Sequence, residues 1–145
     1  MKQQRLIMHV RSKKMLRLTA IFGAAAVIIG AFGAHGLKSA FEARQLDTRY
    51  LLGIYEKGVQ YQFYHTLALG LVGLLLQHRP ASKWLPRAGW LFMAGILMFS
   101  GSLYLLACRD LLPFSVGWAG PVTPLGGLCF IAGWVALLAS TFEKN

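Results

Sequence analysis

Acidic residues are scarce in this chain. Five aspartates and glutamates stand against fifteen lysines and arginines in 145 residues, a formal net charge of +10. None of the acids lies inside an apolar run, and ion-coupled transporters ordinarily use one there, so coupling through a buried carboxylate is disfavoured. Cysteine is equally sparse: Cys108 and Cys129 have neither metal-ligand nor CxxC spacing. With a helix starting near Val122, Cys129 sits about 10 Å below the level of Cys108, too far for the ~7 Å Cα separation a disulfide tolerates. Charge of either sign is thin, at 14% of residues against 56% hydrophobic, with mean hydropathy +0.51. That balance excludes an ordinary soluble domain of this length and implies a lipid bilayer as the surroundings. No stacking platform or groove-reading motif accompanies the positive charge, so nucleic acid is not a partner.

What is present is four apolar runs with cations sorted between them. Lys2, Arg5, Arg11, Lys13, Lys14 and Arg17 precede the first run, and Arg79, Lys83 and Arg87 separate the second from the third. This is the bias of cytoplasmic segments. The spacing predicts a basic cytoplasmic leader over 1–17, spans at about 18–37, 59–76, 88–107 and 122–141, and a tail over 142–145. Both termini are then cytoplasmic. The run from Leu18 to Leu37 suits a span better than a signal-peptide core, despite a passable cleavage site at Ala31-Phe32-Gly33. Met15 is an alternative start, leaving an extension of fourteen residues. In the first outer loop, Ser39-Ala40-Phe41-Glu42 reads as a capping box and Asp47 as a second N-cap, predicting two short helices flat on the outer interface. No internal repeat of duplicated halves is visible.

Each run carries small residues at helical spacing, which let helix backbones approach closely. The expected packing positions are Gly23, Gly30 and Gly33 in the first span, Gly73 in the second, Gly95 and Gly101 in the third, and Gly126 and Gly133 in the fourth. The second span is two-faced. Gln62, His65, Thr66, Leu69 and Gly73 project to one side, and Tyr64, Leu67, Leu71, Leu74 and Leu75 to the other, so the first face is assigned to protein and the second to lipid.

Placed at similar depth toward the outer leaflet, His35, Gln62, His65, Thr66, Ser100, Ser102, Tyr104 and Thr123 form a candidate polar cluster. Polar groups below the interface are costly unless paired, so the cluster either fixes helix packing or marks a functional site. A metal site needs three or four convergent ligands. His35, His65, Glu56 and Cys108 do not converge unless the first helix loosens at Gly33 or Gly36, so no metal is expected. Ser100 and Ser102 flank Gly101 within an apolar helix without a base beside them, and no catalytic residue or cofactor is expected.

Four phrases carry a resemblance: Gly30-Ala31-Phe32-Gly33-Ala34-His35-Gly36-Leu37, Tyr61-Gln62-Phe63-Tyr64-His65-Thr66-Leu67-Ala68-Leu69, Phe99-Ser100-Gly101-Ser102-Leu103-Tyr104, and Thr123-Pro124-Leu125-Gly126-Gly127 with Gly133-Trp134. From about Met15 to Thr141 the chain resembles the family called domain of unknown function 423, whereas the leader from Met1 to Lys14 departs from it. The resemblance implies a four-span bacterial inner-membrane protein and brings no established activity or catalytic residue. The fold class expected is thus all-α membrane, an antiparallel bundle of four transmembrane helices. The leading functional expectation is a small structural or accessory subunit that packs against another membrane protein or itself as a homo-oligomer. The alternative is a small-solute or ion transporter or channel using the cluster around His65. A third reading is an outer-facing metal or quinone-headgroup site.

Overall fold

A computed structural model of the chain describes residues 2–143, with side chains from residue 10 to residue 143. Lys2 and Arg5 of the leader and Lys144 and Asn145 of the tail lie outside the described side chains. Every regular element among the described residues is helical.

Helix α1 (Lys2–Phe32) runs through the leader without a break, passes through a π-helical turn at Gly33–Leu37, and continues as α2 (Lys38–Ala43). The leader is therefore part of the first helix. Ser12 donates to the Gly73 carbonyl at 2.9 Å, and Met15 is buried. The capping box expected at Ser39 does not form. Helical backbone continues across Leu37 and Lys38, leaving no bare N-terminus to cap, and the Ser39 hydroxyl donates back to the His35 carbonyl.

Helix α3 (Thr48–His78) opens on Asp47, whose side chain accepts from the Tyr50 amide at 3.1 Å. No proline or cap follows before His78, so the expected second interfacial helix and the second span are one continuous helix of 31 residues. Helix α4 (Trp84–Gly95), a second π turn (Ile96–Ser100) and α5 (Gly101–Ala107) make up the third apolar segment. After a short 3-10 turn at Arg109–Leu111, α6 (Ala119–Thr141) completes the chain with Pro124 inside it. Both cysteines are free. Three helical segments, Val10–Ala43, Trp84–Ala107 and Ala119–Thr141, are long and apolar enough to cross a membrane.

Neighbouring helices run antiparallel. A Cβ placed on Gly73 would meet Leu16, one on Gly30 would meet Val59, and one on Gly33 would stand 2.5 Å from the Tyr55 ring, so α1 and α3 are in register over most of their length. Between the third segment and α6, Gly133 meets Phe92, Gly95 meets Phe130 and Gly126 meets Phe99, again with opposite polarity. The α3 helix and the α4–α5 segment form the central pair, flanked by α1 and α6.

The glycine faces act differently from the close backbone seams expected of them. At Gly33, Gly95 and Gly133 a ring from the neighbouring helix fills the notch, whereas at Gly126 the contact is with the Phe99 backbone itself. Gly23 meets only the Thr66 methyl, at 3.8 Å, and Gly101 faces open space. A π turn carries an extra residue and so rotates the following face by about 100°. The stripe projected from Ala94 to Gly101 crosses such a turn, at Ile96–Ser100.

The buried apolar side chains gather in two clusters. One, around Met15, Leu69, Val72, Leu85 and Phe92, occupies the end near the 79–83 turn. The other, around Leu37, Phe41, Leu51 and Tyr55, lies at the opposite end. Between Tyr55 and Leu69 on α3 the buried residues are largely polar.

Candidate functional site

The buried polar residues of α3 sit between these two clusters, and Gln62 and His65 reach different neighbours. Gln62 is 3% exposed. Its amide nitrogen donates to the Phe22 carbonyl of α1 at 2.9 Å, and its carbonyl accepts from the Tyr104 hydroxyl of α5 at 2.8 Å. One side chain thus joins three helices. Tyr55 reinforces the same corner, donating to the Ile29 carbonyl at 3.0 Å and holding its ring 5.0 Å from that of Tyr104.

One turn further along α3, His65 is buried in an aromatic cage. Its ring stacks on Phe130 with centroids 3.5 Å apart, and Tyr61, Phe92 and Trp134 complete the surround. Nδ1 lies 2.8 Å from the Tyr61 carbonyl, which only accepts, so Nδ1 carries the proton. The Trp134 indole N–H donates to Nε2 at 3.3 Å, so that nitrogen is the acceptor. The geometry selects the neutral Nδ1–H tautomer and leaves neither nitrogen free for a metal or a substrate.

Ser102 and Thr123 link α5 to α6 through hydroxyl oxygens 2.7 Å apart. Ser102 also approaches the Phe99 carbonyl at 2.9 Å, and Thr123 the Ala119 carbonyl at 3.2 Å. Two hydroxyl protons serve these contacts, so the pair forms a short hydrogen-bonded chain running toward one carbonyl or the other. Thr66 and Ser100, 2% and 0% exposed, have hydroxyls with no hydrogen-bond partner.

Of the eight expected cluster residues, Gln62 and Tyr104 meet directly, Ser102 and Thr123 meet directly, and His65 pairs elsewhere. His35 stands apart. The first helix does loosen at Gly33–Leu37, as convergence required, but His35 comes out exposed on the resulting turn. Among the described residues no group of three His, Cys, Asp or Glu is placed to hold a metal ion. The cage partners Phe130 and Trp134 were missed by sequence reasoning. Their signal was a pair one turn apart near the middle of the fourth apolar run, away from the aromatic belts.

A second polar centre, also missed, ties the end of α6 to the 79–83 turn. The Ser82 hydroxyl donates to the Glu143 carboxylate, the Lys83 amide donates to its other oxygen at 2.8 Å, and Arg79 donates to the Glu143 carbonyl at 2.9 Å. Ser82 in turn accepts from the Leu85 amide at 3.1 Å, in the first turn of α4. The Ser82 hydrogen bond, followed by the backbone amides of Lys83 and Trp84 and the Arg79 charge, holds the Glu143 carboxyl below the usual range. At the other end, burial pushes the Cys108 thiol up.

Comparison with known proteins brings in relatives along nearly the whole chain. Residues 29–127 match the model of the family described as Protein of unknown function (DUF423). A UPF0382 membrane protein of Staphylococcus haemolyticus is 40% identical, covering 88% of this chain and 98% of its own. The UPF0382 membrane protein YwdK of Bacillus subtilis is 38% identical over 90% of this chain and 98% of its own. The UPF0382 inner membrane protein YgdD of Escherichia coli is 39% identical over 91% and 92%. No solved structure matches.

Proposed function

Because the chain belongs to the DUF423 family of membrane proteins of unknown function, we propose from its geometry a small structural or accessory subunit of the bacterial inner membrane. It crosses four times, with both termini in the cytoplasm. The crossing beyond the three apolar segments is α3. Its polar first half makes it less apolar than the other three, yet it lies antiparallel to α1 from the Ser12–Gly73 contact to the Gly33–Tyr55 contact. It therefore traverses whatever thickness α1 traverses. At 1.5 Å per residue, 31 residues reach about 46 Å, longer than a ~30 Å hydrocarbon core. We assign its first turns, together with α2, to the outer interface.

The observation that carries the accessory reading is the closure of the polar layer. Gln62 with Tyr104, Ser102 with Thr123, and His65 with Trp134 spend their hydrogen-bonding capacity on neighbouring helices. Such pairing fixes helix register and leaves lipid-facing surfaces on α1 and α6 for a neighbour. Affinity purification of the full chain in mild detergent tests the proposal. A membrane protein recovered in stoichiometric amount is the expected result, and a chain recovered alone with measurable solute flux in vesicles would overturn it. The transport reading keeps one specific support, the unpartnered buried hydroxyls of Thr66 and Ser100.

A further inference from the structure

Three cations on α1 stand without a carboxylate. Lys13, Lys14 and Arg17 are exposed. The ion pairs among the described residues, Lys38 with Glu42 and Arg109 with Asp110, are at the other end of the molecule. Glu143, the acid nearest in the fold, is engaged by Ser82 and Lys83. With Val10, Leu18 and Ile21, the three cations line a surface cavity of about 380 Å³.

The order of these residues along α1 matters. Positions 10, 14, 17 and 21 fall on one helical stripe, with 13 and 18 beside it. Moving from Lys14 to Ile21, about 10 Å along the axis, the stripe changes from cationic to apolar, and Ile21 is 62% exposed. On α4, Trp90 stands across from it: the Lys14 ammonium lies 4.7 Å from the centre of a ring that is itself half exposed. A soluble anion would use only the cationic half of this groove, and a nucleic acid could not follow it into an apolar span. A molecule with a phosphate at one end and a hydrocarbon chain at the other fits both halves. We infer that the groove holds the headgroup of an anionic phospholipid, with an acyl chain lying along Leu18 and Ile21 beside Trp90. This rests on the chain being a helical membrane protein and is independent of the accessory reading.

Native mass spectrometry of the full chain in neutral detergent, with equimolar phosphatidylglycerol and phosphatidylcholine, tests it. Each Lys or Arg beside an anionic lipid surface contributes roughly fivefold in affinity. One retained phosphatidylglycerol per chain, favoured by at least about tenfold, is therefore expected. Replacing Lys13→Gln, Lys14→Gln and Arg17→Gln together should bring the ratio to within about twofold of unity. Lys13→Arg with Lys14→Arg should preserve it, as should the control Lys83→Gln with Arg87→Gln. Single Lys14→Gln and Arg17→Gln variants should each lower it severalfold, which keeps the test decisive if the triple variant does not fold. Several results would overturn the inference: no preference in the wild type, a preference that survives the triple replacement, one that falls equally in the control, displacement of the lipid by millimolar inorganic phosphate, or a second copy of the chain bound where the lipid should be.

Discussion

Gln62 satisfies two partners at once, so removing it has an asymmetric effect. Gln62→Leu leaves the Tyr104 hydroxyl without its acceptor, and an orphaned buried donor costs about 1–3 kcal/mol. The double variant Gln62→Leu with Tyr104→Phe removes both partners and should recover part of that loss, since an interhelical hydrogen bond in a membrane is worth only about 0.6 kcal/mol. Detergent-phase unfolding reads both, and equal destabilisation of single and double variants would show that the contact is not made. At His65, glutamine can still donate and accept but gives up the ring stacked 3.5 Å from Phe130. A loss of about 0.5–1.5 kcal/mol is expected, against none for His78→Gln, whose ring is exposed. A His65→Gln chain that melts like the wild type would remove stacking from the account.

At the level of elements, the two π turns decide which glycines matter. A Cβ at Gly126 would lie 2.8 Å from the Phe99 Cα, and backbone cannot swing aside as a side chain can. Gly126→Ala should therefore destabilise by about 1–3 kcal/mol, in the range of overpacking. Gly101→Ala meets nothing within 4 Å and should be neutral or stabilising by up to about 1 kcal/mol, the gain in helix propensity. Melting temperatures of the two variants should move in opposite directions or differ clearly, and equal losses would refute the assignment. The contact between α6 and the 79–83 turn responds to pH. Glu143 has a folded pKa below its unfolded one, so its contribution is present above the ordinary glutamate range and fades as pH falls through the folded value. The protection of the Lys83 amide relative to intrinsic exchange should fall on acidification in the wild type, and Glu143→Ala should show low protection at all pH values. A wild-type amide with no pH dependence beyond intrinsic exchange would contradict this.

For the whole molecule, the decisive quantity is the number of crossings. Three crossings place the termini on opposite sides and four place them on the same side. With Cys108→Ala and Cys129→Ala as background, single cysteines at Ala81 and Lys144 should resist an impermeant thiol reagent applied to intact cells. One at Phe114, exposed on the loop before α6, should react. With a cysteine at Lys2 protected, labelling at Ala81 and Lys144 but not at Phe114 would reduce the crossings to three and leave α3 re-entrant or peripheral.

The sequence alone determined the helical membrane class, because composition and run length depend on no partner. It also determined the two faces of α3. Gln62, His65, Thr66, Leu69 and Gly73 are buried and Tyr64, Leu67, Leu71 and Leu74 exposed, since one regular helix preserves its 100° phase, but Leu75, assigned to lipid, is half-buried against the core. Ala68, between the two faces, is buried in the same core cluster as Leu85, Ala88 and Phe92 of α4. Gly101, which follows the second π turn, left the packing position projected for it, whereas His35 stayed apart from His65 even though its helix loosens. Which polar group meets which was a matter for the tertiary structure. The pairing of Gln62 with Tyr104, or of His65 with Trp134, depends on how far antiparallel helices slide past one another. That sliding is set by rings settling into glycine notches on neighbouring helices, a contact between residues distant in the chain that no local pattern encodes.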